Sequence, residues 1–186
     1  MELAKLIPSS AEELHHQLAL LMVVSGAATF LTLMFGPTAP YGRYTRGGWG
    51  PLINSNIAWM GFFLAYHLAP NSKISPLAAV GIAIQIVGWF NVMQADRILT
   101  SLRKPGETGY KIPQGGPFRL VSAGNYASEI LEWCGYALAA RALPAAAFAF
   151  FAFCNLAPRA WRHHKWYLSK FEDYPKARRA VIPFVW

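Results

Sequence analysis

The sequence predicts an all-α membrane protein, a polytopic bundle of about five transmembrane helices followed by an amphipathic C-terminal segment. Of its 186 residues, 54% are hydrophobic and only 14% are charged, well below the charge content of a soluble domain. Most apolar residues fall in long runs without Asp, Glu, Lys or Arg, at 17–42, 47–72, 74–95 and 142–158. The first three runs can each hold the roughly 20 helical residues that cross a bilayer.

The predicted spans follow these runs in order. The first predicted span begins near residue 14, and the next two cover 52–69 and 76–95. The last two form a helical hairpin over 120–158 that turns near Leu143-Pro144. The Pro- and Gly-rich stretch 36–51 has the composition of a loop. We expect a single membrane domain over 1–186, with N-terminal spans at 14–73 and a ligand-binding C-terminal region at 74–186.

The formal net charge of +8 is concentrated in two segments. Residues 97–119 hold five basic residues against one acidic residue, and the tail 159–186 holds seven against two. Placing both segments in the cytosol, with Arg43 and Arg46, satisfies the positive-inside rule for five spans and puts the C-terminus in the cytosol. These charges do not indicate nucleic-acid binding, because no folded soluble module presents them.

No metal site is indicated. Cys134 and Cys154 lie in apolar segments without the spacing of a zinc site or of a disulfide framework. His163 and His164 are adjacent, so on a helix their side chains would point about 100° apart.

A polar stripe is the first candidate site. Spacings of four, seven and eleven residues place its members on one side of a helix: Asn125, Glu129, Glu132 and Tyr136. Ionisable residues inside a membrane usually mark function. The alternative is that the two glutamates pair with Arg119 or Arg141 and only fix the packing of helices.

A second stripe begins where the last apolar run ends. Arg159, His163 and Tyr167 follow at intervals of four residues, again on one helix face. Three hydrogen-bond donors at membrane-surface depth suit a phosphate or a ribose. Equally, with Trp161 and Trp166, the stripe has the composition of an interfacial anchor.

The third candidate is the segment that joins the predicted span at 76–95 to the first polar stripe. Asp96 and Arg103 are seven residues apart and share a helix face. The loop 106–116 reads GETGYKIPQGG, in which Lys111 adds charge and the glycines would let backbone approach a ligand closely. It is neither a dinucleotide fingerprint nor a P-loop. Together with the two stripes, it predicts a site for a multiply charged cofactor.

Three stretches resemble the steroid 5-alpha-reductase (3-oxo-5-alpha-steroid 4-dehydrogenase) family. They read LRKPGETGYKIPQGGPF at 102–118, SAGNYASEILEWCGYAL at 122–138 and AFAFFAFCNLAPRAWRHHKWYLSKFEDYPKARRAVIPF at 147–184. The resemblance implies an all-helical membrane domain that uses NADPH as its cofactor. It also implies reduction of the 4,5 double bond of a 3-oxo-4-ene steroid or a similar enone lipid in the endoplasmic reticulum membrane.

The resemblance also implies a set of cofactor-binding residues. By position they are Asp96, Arg103, Lys111, Asn125, Glu129, His163 and Tyr167. Arg103 and Lys111 would offset phosphate charge, while Asn125, Glu129 and Tyr167 would hold amide and ribose groups. The chain departs from the family where Val92 replaces an Asn, and Asn91 does not compensate because a shift of one residue turns a helical side chain by about 100°.

A larger departure concerns catalysis. Trp59-Met60 is followed at once by Gly61-Phe62-Phe63, which resembles the start of the family's fifth helix. We therefore expect two spans, a substrate-side Glu and a catalytic Tyr of the family to be absent, which would impair activity. The lack of any acidic residue between Glu13 and Asp96 agrees with this expectation. No catalytic residue is assigned.

The sequence leaves two other functions open, together with the oligomeric state and the identity of the substrate. One is a non-catalytic, truncated isoform that binds NADPH or a membrane partner. The other is a membrane enzyme of the isoprenylcysteine carboxyl methyltransferase type, whose tail also joins an amphipathic helix to a Tyr- and Pro-rich close.

Overall fold

The computed structural model describes residues 11–36, 75–102 and 109–186. The helices in these ranges are α1 (Ala11–Phe35), α2 (Pro76–Ser101), α3 (Gly124–Ala140) and α4 (Leu143–Lys170), with one turn of 3₁₀ helix at Gly116–Arg119 before α3. The three described ranges contain no β-strand. The predicted all-α membrane bundle is confirmed, while the predicted span at 52–69 lies outside the described residues.

Local sequence fixes where the helices begin and end. Ser75 caps α2 by accepting a hydrogen bond from the Ala78 N–H at 3.2 Å, and Pro76 occupies the first helical position, where its missing N–H costs nothing. Arg141 ends α3 in the left-handed region at φ 52°, and α4 begins two residues later. The predicted hairpin over 120–158 is therefore present, with its turn at 141–142.

Three of the described helices are long and apolar enough to cross a membrane. They are His16–Phe35 within α1, Pro76–Ser101 and Leu143–Lys170. Large apolar side chains on these helices face outward. Leu21, for example, is 64% exposed and Phe90 is 63% exposed. Exposed apolar surface of this extent is suited to contact with acyl chains rather than with water.

Helices α2 and α3 pack through small residues. The buried positions of α2 recur every seventh residue, at Gly81, Gly88 and Ala95. A Cβ atom on Gly88 would lie 2.6 Å from the Cα of Glu132, and one on Gly81 would lie 2.8 Å from the Cα of Ala139. The pairing shows that the two helices are antiparallel. Their backbones touch, as in other membrane helix pairs built on small residues.

Helices α1 and α4 are parallel. A Cβ atom on Gly26 would lie 3.2 Å from the Cα of Phe151, and the Arg162 guanidinium donates a 2.7 Å hydrogen bond to the carbonyl of Gly36, just beyond α1. Since α4 is also antiparallel to α3, the C-terminal ends of α1, α2 and α4 meet the start of α3 on one side. We call this side the loop end of the bundle.

The chain beyond α4 folds back over the start of α3. Residues 171–186, here named the strap, have no regular helix. The N–H groups of Ser122 and Ala123 donate to the carbonyls of Arg179 (2.8 Å) and Ala180 (3.1 Å), and the N–H of Arg179 donates to Leu120 (3.1 Å). The strap therefore satisfies the backbone N–H groups of the two residues that lead into α3.

Replacing Gly88 by Ala should destabilise the bundle, because the new methyl group would overlap the backbone of α3 at Glu132. Overpacking of this kind costs about 1–3 kcal/mol. Thermal unfolding in detergent in a Cys134→Ser background, followed with a thiol-reactive dye that reports exposure of buried Cys154, measures the loss.

Gly109→Ala is the matched control, since a Cβ atom there meets nothing within 4 Å. Equal unfolding temperatures for the two variants would contradict the close contact between α2 and α3.

Candidate functional site

A cavity of about 300 Å³ opens at the loop end of the bundle. It lies between the last turns of α2 and α4, the start of α3 and the loop that precedes it. Its lining residues are Leu99, Leu102, Tyr110, Lys111, Phe118, Ser122, Ala123, Asn125, Tyr126, His163, Trp166 and Tyr167. The volume is at the lower end of the range for small-molecule sites.

Aromatic rings form much of the wall. The ring of Tyr110 meets Trp166 edge-on with centroids 4.8 Å apart, and Tyr126 meets His163 at 6.0 Å. Tyr167 stacks on Tyr174 of the strap at 5.1 Å and 13°. These contacts hold the rings in place around the cavity. Aromatic rings have flat apolar faces on which a planar ligand can stack.

The polar groups of the cavity favour an anionic ligand. Lys111 brings a positive charge from the loop, and the Asn125 amide can both donate and accept hydrogen bonds. Asn125 also lies in the first turn of α3, where the helix dipole favours negative charge. The cavity is therefore suited to a planar group that carries phosphate or carboxylate.

The structure brings together four of the seven residues predicted to bind a cofactor. Lys111, Asn125, His163 and Tyr167 line the cavity from three separate segments. Asp96 and Glu129 lie outside the lining and close to each other, and Arg103 lies outside the described residues. For all seven, cofactor binding stays a prediction.

Glu129 is the centre of a polar cluster between three helices. Its carboxylate accepts a hydrogen bond from the side chain of Trp133, one turn along α3. It also lies within electrostatic range of Arg159 on α4 and of Asp96 on α2. The second glutamate of the predicted stripe, Glu132, is close enough to Glu129 to repel it.

The basic residue that faces Glu129 differs from those expected. The packing alternative named Arg119 or Arg141, but among the described residues the basic neighbour of Glu129 is Arg159. Arg141 lies at the opposite end of the bundle, in the turn of the hairpin, where its guanidinium donates to Ser75 Oγ at 3.3 Å. The hairpin brings the middle of α4, rather than the turn, against this part of α3.

Arg178 is a site residue that sequence reasoning missed. Its side chain is only 4% exposed, and its guanidinium donates to the Pro113 carbonyl (3.0 Å) and to Gln114 Oε1 (2.7 Å). It therefore ties the strap to the loop that carries Lys111. In the sequence it is one of seven basic residues of the tail, and nothing separates it from its exposed neighbour Arg179.

A second missed group joins the strap to both α3 and α4. The hydroxyl of Tyr174 donates to Ser122 Oγ at 2.6 Å, and Ser122 Oγ lies 2.6 Å from His164 Nδ1. The adjacent histidines thus have different environments: His163 lines the cavity, whereas His164 is buried in this chain of hydrogen bonds.

Two loop glycines are required by conformation and packing. Gly115 and Gly116 have φ values of 85° and 49°, in the region that other residues rarely adopt. A Cβ atom on Gly116 would also lie 2.6 Å from Gln94 Oε1 of α2. These glycines shape the turn at the edge of the cavity and seat it on α2.

Arg178→Ala should loosen the loop, because the carbonyl of Pro113 and the amide of Gln114 lose their buried donor. Hydrogen bonds to charged groups contribute about 1.5–3 kcal/mol, so trypsin should cleave after Lys111 at least several-fold faster. Limited proteolysis in detergent, read by mass spectrometry, measures this rate.

Arg179→Ala is the control, because Arg179 is exposed and its described contacts with Leu120 and Ser122 are made by its backbone. If both variants were cleaved at the same rate, Arg178 would have no part in holding the loop.

The comparisons with a family model and with single known proteins point to the same family. A family model described as 3-oxo-5-alpha-steroid 4-dehydrogenase matches residues 53–186, which include every lining residue of the cavity. The human protein 3-oxo-5-alpha-steroid 4-dehydrogenase 1 is 54% identical over 110 residues, covering 59% of this chain and 42% of that protein.

The 3-oxo-5-alpha-steroid 4-dehydrogenase 2 of Sus scrofa is 54% identical over 167 residues, covering 84% of this chain and 66% of that protein. The protein of the same name from Macaca fascicularis is 44% identical over the same length. The match to the human protein thus spans less than half of its length, and the matches to the other two span about two thirds of theirs.

Proposed function

Because this chain belongs to the 3-oxo-5-alpha-steroid 4-dehydrogenase family, we propose that it is a membrane oxidoreductase that takes NADPH as its cofactor. The proposed reaction is reduction of the 4,5 double bond of a 3-oxo-4-ene steroid or a similar enone lipid. The observation that carries the proposal is the cavity at the loop end, in which Lys111, Asn125, His163 and Tyr167 converge.

The residues of the cavity fit a nicotinamide dinucleotide phosphate. The rings of Tyr110, Tyr126 and Trp166 offer stacking surfaces for a planar base or for nicotinamide, and Lys111 offers a counter-charge for phosphate. The volume of about 300 Å³ suits one part of a dinucleotide rather than all of it. Arg103 belongs to the proposed set as a second phosphate contact, although it lies outside the described residues.

NADPH, when bound, supplies the hydride of the reduction. In this proposal Asn125 and Tyr167 orient the amide and ribose groups, and Lys111 offsets the phosphate charge. Glu129, one turn further along α3 than Asn125, lies within electrostatic range of Arg159 on α4. These residues fix position and exclude water; none of them is assigned a proton transfer.

The substrate side of the reaction needs a further group. Hydride addition to the β carbon of an enone places negative charge on the ketone oxygen, and a preorganised hydrogen-bond donor there is worth roughly 3–4 kcal/mol. In the family this role belongs to the Glu and Tyr expected to be absent at the Trp59–Gly61 junction. That junction lies outside the described residues, and the catalytic donor stays unassigned.

The proposed location is the endoplasmic reticulum membrane, with the loop end and the C-terminus in the cytosol. Support comes from the segments 97–119 and 159–186, whose excess of basic residues the positive-inside rule expects in the cytosol. In this orientation the cavity opens toward the compartment that holds the proposed cofactor.

Asn125→Ala should weaken NADPH binding about tenfold, since losing a polar contact in a partly buried site costs about 1–3 kcal/mol and 1.4 kcal/mol is a factor of ten. Titration of the full chain in nanodiscs, followed by energy transfer from tryptophan to NADPH, measures the Kd.

Ser169→Ala is the control: it removes an exposed hydroxyl of α4 that donates only to the Trp166 carbonyl. The proposal fails if the unmodified chain does not bind NADPH, or if both variants bind it equally well.

Turnover separates the reductase from its two rivals. We expect the chain in nanodiscs to oxidise NADPH only when a 3-oxo-4-ene steroid is present, at a rate well below that of a full-length relative. Binding of NADPH without any turnover would favour the non-catalytic isoform. Preferential binding of S-adenosylmethionine would favour the methyltransferase.

A further inference from the structure

The last six residues of the strap lie far back along α4. Val181 packs against Ala157 and Ala160, and the ring of Trp186 lies 6.1 Å from that of Trp161 and 6.4 Å from that of Phe153. At 1.5 Å per helical residue, Ala157 is about 20 Å from the end of α4 at Lys170. The 181–186 loop therefore lies beside α4 well short of the end of that helix, next to the start of α3.

That level corresponds to the apolar part of the span. Phe153 belongs to the uncharged run 142–158, and Trp161 lies three residues beyond the end of that run, where Lys165 lies 4.9 Å over the indole ring. Tryptophan with a neighbouring lysine is typical of the boundary between acyl chains and headgroups. Because Trp186 contacts residues on both sides of this boundary, the loop spans it.

The loop directs apolar side chains away from the protein. Phe184 is 80% exposed, Val185 75% and Ile182 38%, although Trp186 and Val181 beside them pack inward. Phe184 also has φ 65°, a conformation that a bulky residue rarely adopts. In water these three side chains would lose the benefit of burial, about 25 cal/mol for each Å² of apolar surface.

Hydrogen bonds within the loop hold its two ends together. A main-chain oxygen of Trp186 accepts hydrogen bonds from the N–H groups of Val181 (2.9 Å) and Ile182, and the N–H groups of Val185 and Trp186 donate to the Ile182 carbonyl at 3.2 and 3.0 Å. The exposed Arg179, next to Leu120, supplies a positive charge where the loop begins.

We propose that the 181–186 loop is a lipid-inserted anchor, with Phe184 and Val185 among the acyl chains and Arg179 at the phosphate headgroups. The occupant of this apolar surface is the bilayer itself, because Trp186 packs on Phe153 and Trp161 of α4, a helix long and apolar enough to cross a membrane. Insertion would hold the strap, and with it Arg178 and Tyr174, against the loop end. The inference is independent of the cofactor and of the proposed reaction.

A spin label tests the depth of the loop. We would attach it to Phe184→Cys in a Cys134→Ser, Cys154→Ala background of the full chain, in nanodiscs of phosphatidylcholine and phosphatidylglycerol. Power saturation of the electron paramagnetic resonance signal compares two collision rates of the label. One is with oxygen, which concentrates in lipid, and the other is with a nickel chelate, which stays in water. We expect the label at position 184 to favour oxygen several-fold more than a label at Asp173→Cys, an exposed position of the same strap.

Two results would overturn the proposal. Equal access of nickel to both labels would place the loop in water, and poor access of both oxygen and nickel to position 184 would mean that protein covers it. The native-cysteine chain gives a second measurement if the labelled variants do not fold. The fluorescence of Trp186 is the difference in emission between the unchanged chain and Trp186→Phe. Phospholipid with brominated acyl chains should quench this fluorescence, and absence of quenching would contradict insertion.

Discussion

The contact between α2 and α3 is the constraint on which the remaining structure depends. In lipid there is no hydrophobic force to drive helices together, so close van der Waals packing has to hold the pair, and the glycines at 81, 88 and 135 make it possible. That packing brings Asp96 within range of Glu129 and sets the last turn of α2 beside the first turn of α3. The cavity lies between these two turns. A wider spacing of the helices would separate Leu99 from Tyr126 and open the wall.

The strap supplies the second constraint, because residues 109–115, which precede the 3₁₀ turn, have no regular structure of their own. Arg178 fixes the segment at 113–114, and the Ser122–His164–Tyr174 hydrogen bonds fix the junction between loop and helix. Each of these polar groups is buried or partly buried, so losing one partner would strand the other at a cost of about 1–3 kcal/mol. The cavity thus keeps its shape through these polar contacts.

Helical periodicity is what made part of the site predictable. Spacing by four residues places His163 and Tyr167 on one face of α4, and both line the cavity, as does Asn125 of the other stripe. Periodicity does not say which faces meet, so it could not show that Glu129 would be set back against Arg159, outside the lining. The strap has no helical periodicity, so the sequence could not show that Arg178 is buried while its neighbour Arg179 is exposed. Ser122 and Tyr174 were missed because hydroxyls give no sequence signal of burial.

The link between Arg162 and Gly36 joins positions 126 residues apart in the sequence. It holds the first helix directly to the last, so their docking does not depend on the length of chain that connects them, and the entropy of closing that connection grows only slowly with its length. Two helices that run in the same direction across a bilayer must also be separated by an odd number of crossings. Any change in the number of crossings between α1 and α4 must therefore come in pairs if both helices are to keep their direction.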